Sequence, residues 1–284
     1  MTAAFLQVAA AACMWGTWSL FLRPSGIPAW ASAPVLFAVT GVVLLPLARR
    51  EPKPRWDQIT LGLLFANAGL DALNVVTFFA AMDATTVAIA VLSHYLAPLV
   101  VALLAPIIDR ERTPGGVAAA AVATIGLALV LRPWEATRAD LFGVILGTVS
   151  AFAYGANVLV VRHLAVRIGA ARAVSYHALL AAVAILPWAE LGAIREAGPR
   201  ALWLVAGALG PGALAGWLFV RALPTVGATR GAVLAFLEPL VAVGIGWAVW
   251  DERLGAWAIA GAALVLGAGL WVTRAPAHAR SSIP

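Results

Sequence analysis

The chain has 284 residues, of which 63% are hydrophobic and 11% are charged. A soluble globular domain carries roughly 25% charged residues, so this composition excludes a soluble protein that covers one core with its own charges. The single cysteine, Cys13, excludes an internal disulfide and a thiolate metal cluster. We therefore expect a membrane protein with the lipid bilayer as its solvent and with no metal and no cofactor.

Ten apolar runs follow one another along the chain, and each is close to the roughly 20 residues that a spanning helix needs. The first run has no basic residue before it and no small-residue cleavage site after it, so we expect a retained helix rather than a signal peptide. The sequence predicts an all-α polytopic membrane protein with ten transmembrane helices, at about 4–22, 31–48, 58–82, 84–108, 115–132, 141–162, 173–191, 201–223, 228–250 and 255–273.

The distribution of basic residues predicts which ends of these helices face the cytoplasm. With the N-terminus inside, the 19 Lys and Arg divide into thirteen in inner segments and six in outer segments. Cytoplasmic loops carry such an excess, so the prediction is an inner-membrane protein with both termini in the cytoplasm. Because the net charge of +6 is explained by this distribution, it does not indicate a nucleic-acid partner.

The second half of the chain repeats the first at an offset of 141 residues. Residues 96–100 (LAPLV) align with residues 237–241 (LEPLV), and near the start Trp15-Gly16 aligns with Tyr154-Gly155 at an offset of 139. We interpret this as two five-helix units, 1–137 and 138–276, followed by a cytoplasmic tail, 277–284. Because five is odd, the second unit is inverted, as in many secondary transporters. The alternative is a duplicated bundle without a transport role.

Pro98 and Pro239 occupy equivalent places in helices 4 and 9. Each proline removes one backbone hydrogen bond, frees the carbonyl four residues earlier and is expected to kink its helix. Kinked central helices suit a cavity, although kinks that serve only helix packing are the alternative.

The segments FLEPLVAVGIGWAVWDERLG and FFAAMDATTVAIAVLSHYLAPLVVALLAP resemble the two halves of the EamA family in the drug/metabolite transporter superfamily. The resemblance implies a central cavity lined by helices 1, 3, 4, 6, 8 and 9, and small-molecule transport by alternating access, often export of amino acids or other metabolites. The Glu-Pro feature of the family carries over to Glu238 and Pro239 only, because Ala97 precedes the first proline.

Asn67, Asp71 and Asn74 share one face of predicted helix 3, at spacings of four and three residues. A charge at the bilayer centre costs about 2.5–3.5 kcal/mol, so this stripe is expected to face a watery cavity or another helix. The functional interpretation is a site for substrate or for a proton. The alternative is a hydrogen-bonded clamp between helices.

Other polar and aromatic residues lie deep in the predicted helices. His94 is one turn before Pro98 and would allow a proton relay with Asp71, or would bond to a neighbouring helix as a neutral imidazole. His177 is expected to be interfacial. Arg221 and Arg230 are expected to snorkel to the membrane surface or to attract anions at an inner gate. The remaining candidates for a substrate pocket, with core packing as the alternative for each, are Glu238, Trp15, Trp18, Tyr154, Asn157 and Trp217.

These features favour a secondary transporter that exports a small metabolite, coupled to protons, to exchange or to the gradient of the solute itself. No G-x-x-x-x-G-K-[ST] motif for ATP is present. The rival class is a polytopic membrane enzyme such as a lipid or prenyl transferase, but such enzymes cluster carboxylates around Mg²⁺, and here the acids are scattered. Two small-residue pairs, Gly143/Gly147 and Gly212/Gly216, leave both a monomer and a homodimer open.

Overall fold

A computed structural model describes residues 2–110, 113–135, 141–251 and 255–274. Within these ranges, ten helices are long and apolar enough to cross a membrane. The predicted class of fold is confirmed, whereas the predicted unit boundary at 137/138 and the tail 277–284 lie outside the described ranges. The helices are α1 (Thr2–Ser25), α2 (Ala29–Arg50), α3 (Gln58–Ala84), α4 (Ile89–Ile108), α5 (Gly116–Glu135), α6 (Leu141–Ile168), α7 (Ala170–Trp188), α8 (Leu191–Val226), α9 (Ala228–Val249) and α10 (Ala256–Arg274).

Helices α4 and α9 are interrupted at matching places. In α4 the regular helix ends at His94 and begins again at Ala97, and in α9 it ends at Leu234 and begins again at Leu237. Pro98 and Pro239 therefore lie in the first turn after each interruption. Backbone N–H groups in a first turn have no helical partner, so a proline is tolerated there. Each helix consists of two segments that meet near its middle.

The helices pair in a pattern that repeats every five helices. Helix α3 packs on α6 and α1 packs on α8, while α2 pairs with α7, α5 with α10 and α4 with α9. If each helix is replaced by the helix five places away in the chain, the α3–α6 pair becomes the α8–α1 pair and the other three pairs are unchanged. This pattern supports the predicted two-unit repeat.

Contacts between helix ends show how equivalent helices run. The carboxylate of Glu51, just after α2, accepts hydrogen bonds of 2.9 Å from the backbone N–H groups of Ala171 and Arg172, in the first turn of α7. The end of α2 therefore lies beside the start of α7, and these equivalent helices are antiparallel. An inverted repeat requires this arrangement. We call this side of the molecule the basic end, which carries Arg50, Arg167, Arg172, Arg221 and Arg230.

Two glycines at equivalent positions make equivalent contacts. A Cβ atom added to Gly16 in α1 would lie 2.5 Å from the carbonyl oxygen of Glu238 in α9. A Cβ atom added to Gly155 in α6 would lie 3.3 Å from the carbonyl oxygen of Ala97 in α4. Because Ala97 and Glu238 are themselves 141 residues apart, the α1–α9 and α6–α4 contacts correspond, and both units use a glycine for the close approach.

The two small-residue pairs are used inside the chain. A Cβ at Gly143 or Gly147 would meet Thr85 or Ser93, and a Cβ at Gly212 would meet Thr40, all within 2.7 Å. These surfaces are covered by neighbouring helices, so they lend no support to the homodimer that the spacing left open.

Candidate functional site

The polar stripe of α3 contacts two different helices. Asp71 is the central residue of α3, thirteen residues from Gln58 and thirteen from Ala84. Asp71 faces α7, whereas Asn67 and Asn74 contact α6. One stripe therefore contributes to three separate polar contacts.

Asp71 is paired with His177. The Oδ2 atom of Asp71 lies 3.0 Å from Nε2 of His177, whose Nδ1 lies 2.8 Å from the carbonyl oxygen of Ala173. His177 is buried, about two helical turns from the start of α7. The prediction of an interfacial His177 is wrong, because α7 begins at Ala170 and carries this residue farther into the span than the predicted start at 173 allowed.

Asn67 and Asn157 form the second contact. The side-chain nitrogen of Asn157 donates to the backbone carbonyl of Asn67 at 3.1 Å. Both residues are buried, and among the described residues the side-chain nitrogen and oxygen of Asn67 have no hydrogen-bond partner. An unpaired buried amide is costly, so Asn67 is the least satisfied polar group in α3.

Asn74 is linked to His94 through Ser150, a residue that the sequence did not single out. The hydroxyl of Ser150 lies 2.8 Å from Oδ1 of Asn74 and 2.8 Å from Nδ1 of His94. Because the hydroxyl carries one proton and donates it to Asn74, Nδ1 of His94 must donate to Ser150. Of the two interpretations of His94, the structure favours the bond to a neighbouring helix: among the described residues His94 bonds to α6, whereas Asp71 bonds to His177 of α7.

Aromatic rings surround His94. Its ring centroid lies 4.6 Å from that of Phe78 and 5.4 Å from those of Tyr95 and Tyr154. Glu238 is within hydrogen-bonding reach of Tyr95 and interacts electrostatically with Tyr154. These five residues, which we call the central cluster, come from α3, α4, α6 and α9. Four of them, Phe78, His94, Tyr154 and Glu238, remain only partly buried.

The predicted tryptophans are divided between different regions. Trp15 packs on Phe219 of α8 with 4.9 Å between ring centroids. Trp18 lies where α1 is interrupted, beside Gly207. Trp217 lies at the basic end, where the guanidinium carbon of Arg221 is 5.0 Å from its ring centroid. The structure does not bring Trp18 and Trp217 into the central cluster.

A cavity of about 360 Å³ opens at the basic end between α2, α6, α7 and α8. Its walls include Arg50, Trp217 and Arg221, and both arginines are exposed. The carboxylate of Glu51 also lines it but is held by the first turn of α7. The cavity therefore presents two cationic groups and an aromatic ring at the side predicted to be cytoplasmic.

Two carboxylates at the basic end carry altered pKa values. Burial by itself would raise the pKa of Asp109, at the end of α4, but His163 and Arg162 of α6 bind this carboxylate and hold its pKa below the usual value. At the start of α3, the backbone N–H of Thr60 is the main cause of the lowered pKa of Asp57, with a further contribution from Arg167. These contacts tie the ends of α3 and α4 to α6.

Comparison with known proteins identifies relatives. Residues 141–274 match the model of the EamA-like transporter family. The chain is 29% identical over 257 residues, 90% of each protein, to an uncharacterized transporter of Archaeoglobus fulgidus. It is 27% identical over 242 residues, 82% of each protein, to the pseudopaline exporter CntI of Pseudomonas aeruginosa strain UCBPP-PA14. A solved crystal structure has a TM-score of 0.79 at 19% identity, covers 96% of this chain and 97% of its own, and shows the same fold.

Proposed function

We propose that the chain is a secondary active exporter of small metabolites such as amino acids, because residues 141–274 match the EamA-like transporter family and two similar proteins are named as a transporter and an exporter. It works by alternating access in the inner membrane, with both termini in the cytoplasm. The observation that carries this proposal is the central cluster, where Glu238 of α9 meets four aromatic or imidazole rings from α3, α4 and α6, and where Tyr154 and Glu238 lie near the middle of their spans.

The interruptions of α4 and α9 support a solute site at this depth. His94 ends the first segment of α4, and Glu238 is in the first turn of the second segment of α9. Transporters often bind substrates near the midplane with helices that are broken there. The close approach of Gly16 to Glu238 and of Gly155 to Ala97, both next to the interruptions, supports a site between the two proposed units.

The chemistry of the central cluster favours a solute with an ammonium group and an apolar body. The carboxylate of Glu238 is the acidic group of the cluster and pairs with a cation. The rings of Phe78 and Tyr154 offer π faces that attract a cation and apolar surface that packs a side chain. An amino acid or an amino-acid derivative has both parts.

The cavity at the basic end supports uptake of such solutes from the cytoplasm. Arg50 and Arg221 attract a carboxylate at its mouth, and Trp217 provides an apolar wall. A zwitterion would thus meet cationic groups first and the Glu238 carboxylate later. The similarity to a protein named as an exporter supports the outward direction.

The test is solute flux from proteoliposomes that contain the purified chain and a labelled pool of amino acids and their derivatives. We expect wild type to release at least one compound and Glu238→Gln to lose most of that flux, because the variant cannot neutralise an ammonium group. Glu196→Gln is the matched control, since Glu196 is exposed at the far end from Arg221. Equal flux in wild type and Glu238→Gln would contradict the assignment of Glu238 to the solute site.

A further inference from the structure

We propose that Asp71 and His177 form a proton-binding pair that couples proton entry to export of the solute. This inference rests on the proposed function as an exporter and adds the driving ion and its site. The pair lies outside the central cluster and joins α3 of the first unit to α7 of the second. Its histidine was predicted to be interfacial.

The hydrogen bonds of His177 determine how many protons the pair holds. The carbonyl oxygen of Ala173 can only accept, so Nδ1 of His177 carries a hydrogen and donates it over 2.8 Å. In the neutral ring, Nε2 is then a bare acceptor. The 3.0 Å contact from Nε2 to Oδ2 of Asp71 is a hydrogen bond only if one further proton lies between them.

The extra proton can lie on either residue without changing the net charge of the pair. On Asp71 it gives a neutral acid and a neutral imidazole, and on His177 it gives a carboxylate and an imidazolium. Both forms have no net charge, which suits the centre of a membrane. When the proton leaves to water, the carboxylate faces the lone pair of Nε2 with a net charge of −1, and the attraction between α3 and α7 becomes a repulsion.

Few other ionisable groups face the pair. On α6, Tyr154 interacts electrostatically with Asp71. On α4, His94 is bonded to Ser150. Helix α2 has Arg49 and Arg50 only in its last turn.

The remaining ionisable groups on the neighbouring helices are held elsewhere. On α7, Arg172 donates to backbone carbonyls at the basic end, including that of Ala48 at 2.6 Å, and Tyr176 stacks on Trp56. On α8, Arg221 lies over Trp217. His177 is therefore the cationic partner within hydrogen-bond distance of Asp71 in the described structure.

The pair is open enough for a proton to reach it. The side chains of His177 and Asp71 keep 11% and 15% of their surface exposed, although Asp71 is the central residue of α3. A proton that binds from outside restores the bond between the two units. Its release to the cytoplasm breaks that bond, so proton occupancy and the relative position of α3 and α7 are linked. The direction is proton in and solute out.

The experiment measures solute accumulation driven by a pH gradient in proteoliposomes, using the compound exported by wild type. If one proton exchanges for one solute, a gradient of one pH unit supports about a tenfold solute gradient, because one pH unit corresponds to about 1.36 kcal/mol. We expect Asp71→Asn and His177→Gln to lose this accumulation but to keep solute-for-solute exchange. The asparagine amide can still donate to Nε2 of His177, so the contact between α3 and α7 survives.

Asp83→Asn is the matched control, since Asp83 lies in the last turn of α3 and accepts a hydrogen bond from Trp30. It should accumulate solute as wild type does. Retention of the tenfold gradient by Asp71→Asn would overturn the inference. Absence of all exchange in wild type would instead contradict the proposed export function.

A second measurement tests the pair without transport. The infrared difference spectrum of wild type between acid and alkaline pH should contain a carboxyl band of Asp71, either protonated or shifted by its hydrogen bond to the His177 imidazolium, and Asp71→Asn should lack that band. A difference spectrum that is the same in wild type and Asp71→Asn would overturn the inference, whatever the outcome of the flux experiment.

Discussion

The close contact of α1 with α9 makes Gly16→Ala the sharpest test of the packing between the two units. The added Cβ would lie 2.5 Å from the carbonyl oxygen of Glu238 and 2.6 Å from Cβ of Val241. Comfortable separations between carbon atoms are about 3.5–4.0 Å, and neither neighbour can rotate away, because one is backbone and the other is a branch point. The helices must therefore separate by about 1 Å.

Overpacking of this kind typically costs about 1–3 kcal/mol, and we expect Gly16→Ala to fall in the upper part of that range. Gly155→Ala should cost less, because its nearest contact is 3.0 Å from a terminal methyl carbon of Val100. Gly69→Ala is the control: its Cβ would meet nothing within 4 Å, and alanine favours a helix interior by up to about 1 kcal/mol.

The assay is thermal unfolding of the purified proteins in detergent, followed by tryptophan fluorescence. The expected order of midpoints is Gly69→Ala highest, then Gly155→Ala, then Gly16→Ala, with Gly69→Ala at or above wild type. Flux measurements should also show weaker solute binding for Gly16→Ala, because the displaced carbonyl belongs to Glu238. If Gly16→Ala unfolds at the same temperature as Gly69→Ala, the argument for a backbone contact between α1 and α9 is refuted.

Two further predictions concern the basic end. Asp109→Asn should destabilise the protein by about 3 kcal/mol or more, because it removes the charge that Arg162 and His163 bind around a buried carboxylate. Since the folded pKa of Asp109 is lowered, its contribution is fully present above the unfolded value of 3.8 and is lost as pH falls from there through the folded pKa. Unfolding midpoints measured from pH 7 downward should therefore fall more steeply in wild type than in Asp109→Asn, and parallel curves would count against the ion pair. Arg221→Gln should raise the KM of a carboxylate-bearing solute several-fold with little change in kcat. An unchanged KM, equal to that of the exposed control Arg195→Gln, would remove Arg221 from the uptake path.

The number of helices was predictable because it depends on the length of each apolar run, which can be read from the sequence. Each span must bury about 30 Å of hydrocarbon, so apolar length alone defines ten elements. The repeat was also readable, because two copies of one fold place the same residue types at a constant offset. The contacts of Gly16 with α9 and of Gly155 with α4 are consistent with this repeat, since each glycine lies close to a backbone carbonyl at an equivalent position of the partner helix.

The pairing of Asp71 was not predictable from the same information. The spacing of Asn67, Asp71 and Asn74 defines a face of α3, but both α6 and α7 pack against α3, and helical periodicity does not say which neighbour each side chain meets. The depth of His177 depends on where α7 begins, and a difference of three residues changes that depth by about 4.5 Å. Ser150 was missed because a serine in an apolar helix usually bonds to its own backbone, and its role as a link requires Asn74 and His94 to lie on either side.

Helix α3 connects the two proposed sites. Asp71 binds His177 from its centre, and two turns farther along the same helix Phe78 packs on His94 in the central cluster. A helix is stiff over two turns, so α3 cannot move away from α7 at Asp71 without also moving Phe78 and Asn74 against α4 and α6. Loss of the proton would therefore alter the solute site directly, through the rigid rotation or shift of one helix. In such a transporter α3 itself would couple the proton site to the solute site, because this one helix contributes Asp71 to the first and Phe78 to the second.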